Sequence, residues 1–300
     1  MDFTYNLIRK SFTRLNQKKF QTLFQNSFSK LFLINIKEIF TNIGSKDKGK
    51  ENFDGNSNID NISISDSYMD YNKKIMNILN ELSLDKNNKI CLFTNESKDI
   101  FKEIQLNPDN FYFVAEDGLV TKSIGEQNFK NKLNCENNWK NPFIRLFENF
   151  INKIGVGNII IKEYSISWNY EDKEKGEYLL GNELKFLISK IVDNKKFDII
   201  FDKNNLEVKI KHENINKYEY IDEMINNDKN LKLIFALNNS DKSGDEFFDY
   251  LYNKKRCIND NFKNINLITT IIGRKTSKAY YYLKDIYDFI NIFNIKNMWI

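Results

Sequence analysis

The sequence predicts an α/β fold, a Rossmann-like core with a parallel central sheet that carries an inserted α+β cap. Three observations predict it. Short apolar runs alternate with helix-period stretches both early and late in the chain. Those runs are apolar at consecutive positions, as strands covered by helices on both faces are. From about 119 to 211 the pattern changes to short strands around one amphipathic helix, which is an α+β pattern lying inside an α/β one.

The elements follow in order. "LFLINIKEIF" (31–40) reads as a buried strand, although Asn35 and Lys37 interrupt it. Residues 44–67 are polar, rich in Gly, Ser and Asn, and show neither hydrophobic period, so a disordered insertion is expected there. "MDYNKKIMNILNELSL" places Ile75, Ile78, Leu79 and Leu82 on one helical face, and "KICLFTN" returns to strand. In the middle segment, "NIIIKEYSISWNY", "KFDIIFD" and "LEVKIKH" read as strands, and "NELKFLISKIV" as a helix with Leu184, Leu187, Ile188 and Ile191 on one face. Then come "YEYIDEMI" (helix), "LKLIFALNN" (strand), "GDEFFDYLY" (helix), "INLITTIIG" (strand) and "YLKDIYDFINIFN" (helix). The core is expected at 25–118 and 212–293, and the cap at 119–211.

Composition narrows the function classes. The 300 residues are 41% hydrophobic, enough to bury a sizeable core. The net charge is +4, but five Arg and the many Lys are scattered among 41 acids, so no clustered face for nucleic acid is expected. Cys91, Cys135 and Cys257 are far apart and odd in number, and His212 is the single histidine, which argues against structural zinc and for a reducing compartment. His212 is read as a surface or structural residue. No apolar run reaches the roughly 18 residues of a membrane span, and the first residues lack a signal-peptide pattern, so a cytoplasmic protein is expected.

In open parallel sheets function gathers at the carboxyl ends of the strands. Those ends read "NIKE" (35–38), "TNES" (94–97) and "LNNSD" (237–241), with "INKYE" (215–219) opening a later helix. This layout resembles haloacid-dehalogenase-type phosphatases. More specifically, "ILNELSLDKNNKICLFTNESKDIF", "FYFVAEDG", "IIKEYSISWNY", "ELKFLISKI", "INK" and above all "IIGRKTSKAYYYLKD" resemble, in order and spacing, the trehalose-6-phosphate phosphatase family. The likeness is greatest to the phosphatase-like half of two-domain trehalose-phosphate synthases. It covers residues 20–293, and the family's G-x-K-x-S-K-A-x-Y-Y run at 273–282 is its most specific piece.

The resemblance implies a mechanism whose parts can be compared with the residues present. The family's nucleophilic aspartate and the acid/base aspartate two residues later fall on Asn35 and Lys37. A neutral amide cannot form an aspartyl phosphate, and an ammonium held charged beside a phosphate is a poor base. Thr94 corresponds to the hydroxyl that holds a phosphate oxygen and Lys217 to the charge-screening lysine. The magnesium loop falls on Leu237, Asn238 and Asn239, amides where the ion prefers carboxylates, so no metal is expected. In the cap, Glu116 and Lys162 match sugar-binding positions, while a third, a glutamate in the family, falls on Ile160. Taken singly, Thr94 is an ordinary turn residue and Lys217 a solvated helix start, and the Tyr280–Tyr282 run reads as packing.

Three readings follow. The first is a catalytically inactive phosphatase-like module of trehalose biosynthesis, a scaffold or regulatory partner of a trehalose-phosphate synthase subunit or domain, with no cofactor. The second is an active trehalose-6-phosphate phosphatase with displaced catalytic groups, such as Asp241 or Asp245, which would need Mg²⁺. The third is a binding module that senses trehalose 6-phosphate through Thr94, Lys217, Glu116 and Lys162. Neither nucleic acid nor membrane is an expected partner.

Overall fold

The computed structural model describes residues 12–40, 61–104, 106–133, 137–155, 157–169, 177–192, 196–201, 205–210, 217–256 and 264–293. Residues 44–60 of the insertion expected at 44–67, His212, Cys135 and Cys257 lie outside them. Two compact units divide the chain, one of Met1–Lys130 with Tyr218–Ile300 and one of Asn131–Lys217.

The first unit is built on a nine-stranded sheet. Its strands are β1 (Thr13–Arg14), β2 (Ser29–Asn35), β3 (Asn88–Phe93), β4 (Tyr112–Ala115), β5 (Val120–Lys122), β6 (Lys130–Asn131), β11 (Leu231–Leu237), β12 (Asn266–Ile272) and β13 (Tyr281–Leu283). Their order is β1-β13-β12-β11-β2-β3-β4-β5-β6. Pairing is parallel from β1 to β4 and antiparallel between β4 and β5. Central position explains why β2 is buried at all seven residues: it has neighbours on both sides and covered faces. One face packs Leu31 and Leu33 with Phe247, Phe248 and Leu251. The other packs Phe32 in an aromatic cluster with Phe20, Phe24, Phe235 and Phe293.

Helices of this unit are α1 (Gln17–Gln25), α2 (Ile36–Ile39), α3 (Asn61–Leu84), α6 (Glu219–Asn226), α7 (Lys242–Arg256) and α8 (Ile286–Ile292). Ile75, Ile78, Leu79 and Leu82 of α3 are all buried, as their spacing predicts. The helix nevertheless begins at Asn61, inside the stretch expected to be a disordered insertion. Residues 61–84 contain neither Gly nor Pro, so once the amphipathic part is anchored the polar start propagates at little further expense.

The second unit has its own four-stranded antiparallel sheet, ordered β7-β8-β10-β9. These are β7 (Asn158–Ile161), β8 (Ser165–Asn169), β9 (Phe197–Phe201) and β10 (Asn205–Ile210), with α4 (Asn141–Ile154) and α5 (Glu177–Ile191). Its core joins Phe143, Phe147, Ile166, Trp168, Leu184, Ile188, Leu206 and Val208.

Four sequence readings are corrected here. The cap does not begin at 119, because β5 pairs with β4 and extends the large sheet; the division falls at 130/131 and at 217/218 rather than 211/212. "NIIIKEYSISWNY" is a hairpin, its turn closed by Lys162 N donating to Ser165 O at 2.9 Å. Among the described residues the second unit has two helices rather than one: α4 carries Pro142 in its first turn and stops at Gly155, which takes the left-handed φ of 78° that a helix C-terminus favours. Leu187, placed on the buried face of α5, is 38% exposed.

Candidate functional site

Strand β2 ends earlier than its apolar run suggests. Asn35 is its last residue, and Ile36–Ile39 form a single helical turn. The switch is local chemistry, because the Asn35 side-chain oxygen accepts the backbone N–H of Lys37 at 3.1 Å and so caps that turn. The expected continuous strand over 31–40 is therefore a strand followed by a capped turn.

Register then sets the neighbours. Asn35 pairs with Phe93 of β3, and Ile34 with Leu237 of β11, so Thr94 and Asn238 lie at the same sheet edge as Asn35. All three are buried. Asn35 Nδ2 donates to Asn238 Oδ1 at 2.8 Å. Asn238 Oδ1 also accepts the backbone N–H of Asn239 at 2.9 Å. The backbone of Thr94 donates to Val114 O at 2.9 Å, and its hydroxyl oxygen accepts from Glu96 N at 3.1 Å.

Lys37 leaves this amide cluster and forms an ion pair with Glu96. Nothing in the "TNES" loop by itself marks Glu96 as a partner of Lys37; only the adjacency of β2 and β3 shows which base meets its acid. Glu38 was likewise unassigned. Burial pushes its pKa above the usual carboxylate range and nearby Asp241 adds to that, while Lys275 and Lys37 oppose it.

Asp241 and Asp245 are committed to structural bonds. Asp241 accepts from Gly244 N at 2.8 Å, and from Asn239 Nδ2 at 2.5 Å, at the start of α7. Gly244 permits this close approach, since a Cβ there would clash with the backbone and side-chain oxygens of Asn239. Asp245 accepts from Ser277 Oγ at 3.1 Å and Lys278 N at 2.7 Å, which ties α7 to the 273–282 run. Tyr281 and Tyr282 of that run form the start of β13, and Tyr280 stacks on Tyr252, a packing role.

Glu116 is 4% exposed and follows β4 in a turn where Glu116 and Asp117 adopt φ of 49° and 56°. Two successive non-glycine residues in the left-handed region are strained. Its backbone N–H donates to Glu96 O at 3.2 Å, which joins it to the same loop. The first unit thus brings together Asn35, Lys37, Thr94, Glu116, Asn238 and Asn239. Lys162 belongs to the second unit, where its ammonium lies 3.9 Å from Glu207 and Ser165 donates to the same carboxylate oxygen at 2.6 Å. Ile160 is beside it on β7, and Lys217 is the last residue of that unit.

A protein-family model described as trehalose-phosphatase matches residues 53–286. Among solved structures, the chain is similar to the C-terminal domain of a Candida albicans trehalose-6-phosphate phosphatase, at 18% identity, TM-score 0.68, covering 95% of this chain and 97% of that one. It is also similar to the C-terminal domain of a Candida albicans trehalose synthase regulatory protein, at 12% identity, TM-score 0.65, covering 95% and 99%. A haloacid dehalogenase-like hydrolase from Bacteroides thetaiotaomicron matches at 9% identity, TM-score 0.50, covering 90% and 100%. No curated protein sequence matches significantly. The structural likenesses establish a haloacid-dehalogenase-type fold.

Proposed function

The chain belongs to the trehalose-phosphatase family, and from that premise we propose that it is a catalytically inactive member, a scaffold or regulatory module of trehalose biosynthesis that acts in the cytoplasm beside a trehalose-phosphate synthase subunit or domain. The observation that carries this reading is the pair of residues at the nucleophile and acid/base positions. Asn35 is an amide whose oxygen caps a helical turn, and Lys37 is an ammonium paired with Glu96. Neither offers a free anion to attack phosphorus or a base to activate water.

The residues do not fit the magnesium ion that the family implies. The Asn238 oxygen already accepts two N–H groups and the Asn35 oxygen one, and the other end of Asn35 is an NH₂ donor bonded to Asn238, which cannot ligate a cation. Among the described residues no group of three or more His, Cys, Asp or Glu side chains is arranged to hold a metal. Asp241 and Asp245, the acids of the displaced-group alternative, serve the start of α7 and the 273–282 run. Support for a regulatory role comes from the likeness to a domain described as part of a trehalose synthase regulatory protein. No helix among the described residues is long and apolar enough to cross a membrane.

The deciding experiment is phosphate release from trehalose 6-phosphate with magnesium, compared with a preparation from empty vector. No release above that background is expected, and release would overturn the reading. A second reading is favoured by Glu116: a buried acid held on strained backbone is the kind of feature a ligand site retains. In it the protein binds trehalose 6-phosphate without turnover, with Thr94 and Glu116 as the contacts offered by the first unit. Calorimetry tests it, and no heat at millimolar ligand removes it.

A further inference from the structure

The hydrogen bond between Asn35 and Asn238 has a direction, and two backbone groups set it. Which end of an Asn amide carries oxygen is decided by its partners. The Lys37 N–H requires an acceptor and faces Asn35, so the Asn35 oxygen is turned there and its NH₂ points to Asn238. The Asn239 N–H likewise requires an acceptor, so the Asn238 oxygen is the atom that meets that NH₂. Position 35 is a donor, and position 238 accepts twice.

We infer that this donor–acceptor polarity makes the carboxyl edge of the sheet a cation-free junction: Asn35 and Asn238 hold the ends of β2 and β11 together directly, where two carboxylates would repel each other unless a divalent ion lay between them. The inference deepens the reading of the chain as an inactive member, and it concerns what the site became rather than what it lost. It also makes the two asparagines unequal. An aspartate at 238 still accepts both bonds, and its charge is offset by two N–H donors. An aspartate at 35 keeps the bond from Lys37 N–H but turns its second oxygen on the Asn238 oxygen, leaving a buried charge against an acceptor.

The test is thermal unfolding of the full chain, followed by circular dichroism, in EDTA and in millimolar magnesium chloride, for the unaltered protein, Asn35→Asp and Asn238→Asp. The midpoint of the unaltered protein is expected to be the same in both buffers. In EDTA, Asn35→Asp is expected to lower it by about 5 °C or more, and Asn238→Asp by less than half as much. Should Asn35→Asp give no folded protein, Asn238→Leu supplies the contrast. It keeps the size but offers no acceptor, so it should fall by about 5 °C while Asn238→Asp stays close to the unaltered protein. A saturable rise of the unaltered midpoint with magnesium would overturn the inference, as would Asn238→Asp falling as far as Asn35→Asp or Asn238→Leu. Phosphate release does not enter this measurement, so an active enzyme with a polar junction and an inactive one without it give different pairs of results.

Discussion

The two edges of the large sheet treat buried polarity in opposite ways. At the amino edge, where β2 and β3 begin, charges are kept and paired. Ser29 donates to Asp228 at 2.5 Å, and Lys89 lies 3.2 Å from the same carboxylate oxygen. Lys30 is buried, its ammonium 4.5 Å from the Phe24 ring centre and 3.9 Å from Asp85. Burial lowers the Lys30 pKa, and Asp85 opposes that shift only partly. At the carboxyl edge the same strand ends in an amide bonded to another amide, and the ion pair of Lys37 with Glu96 is partly exposed. A buried charge persists in a fold where a permanent partner faces it. For Asn35 and Asn238 the facing side chain is another amide and not an opposite charge, so neutral groups are what the packing between the ends of β2 and β11 tolerates.

The sheet between the edges should give the largest effect. Phe32 is fully buried and touches Phe24, Phe235 and Phe293. Phe32→Ala is expected to cost about 3–5 kcal/mol in urea unfolding, since it leaves a cavity in a close-packed aromatic cluster. A loss near that of an edge substitution would mean that the two edges, and not the strand, hold β2 in place.

Next in size is Asp228→Ala, which removes the carboxylate that faces the Lys89 ammonium and accepts from Asn230 N–H, while the Ser29 hydroxyl keeps Asn87 O as an acceptor at 3.1 Å, for about 1–3 kcal/mol. It should carry a pH signature of its own. Burial raises the Asp228 pKa, but the Ser29 and Lys89 bonds outweigh it and the net shift is downward. A carboxylate whose folded pKa lies below its unfolded value adds stability that is complete above the unfolded value. That stability fades as pH falls from about 4 through the folded value. The difference between the unaltered protein and Asp228→Ala should therefore shrink in acid; a gap that stays constant with pH would show that Asp228 acts by packing alone.

Smallest is Lys37→Ala. Its pair with Glu96 is 42% and 29% exposed, so a change within about 1 kcal/mol is expected, and less still in molar salt. A loss as large as that of Asp228→Ala would erase the contrast between the edges.

Much of this was legible beforehand. Consecutive apolar residues in "LFLIN" and "LKLIFAL" mark strands covered on both faces, and the 3.6-residue spacing of Ile75, Ile78, Leu79 and Leu82 marks a helix face, because burial acts on each side chain through local geometry. The family motifs located Asn35, Thr94 and Asn238 together. Missed were the end of β2 at Asn35, where one cap bond ended an apolar run, and the helix α4, whose Pro142 and Gly155 are the signals that mark its ends.

By itself the sequence determined the class of fold, the family, and the kind of group standing at each position of the sheet edge, since composition and local period need no partner to be read. Only tertiary structure decided that Lys37 meets Glu96, that Asp228 meets Lys89, and that Asn35 donates while Asn238 accepts. Those outcomes depend on which strands lie side by side and which backbone N–H groups remain to be satisfied at their ends, and both are settled only when distant segments pair.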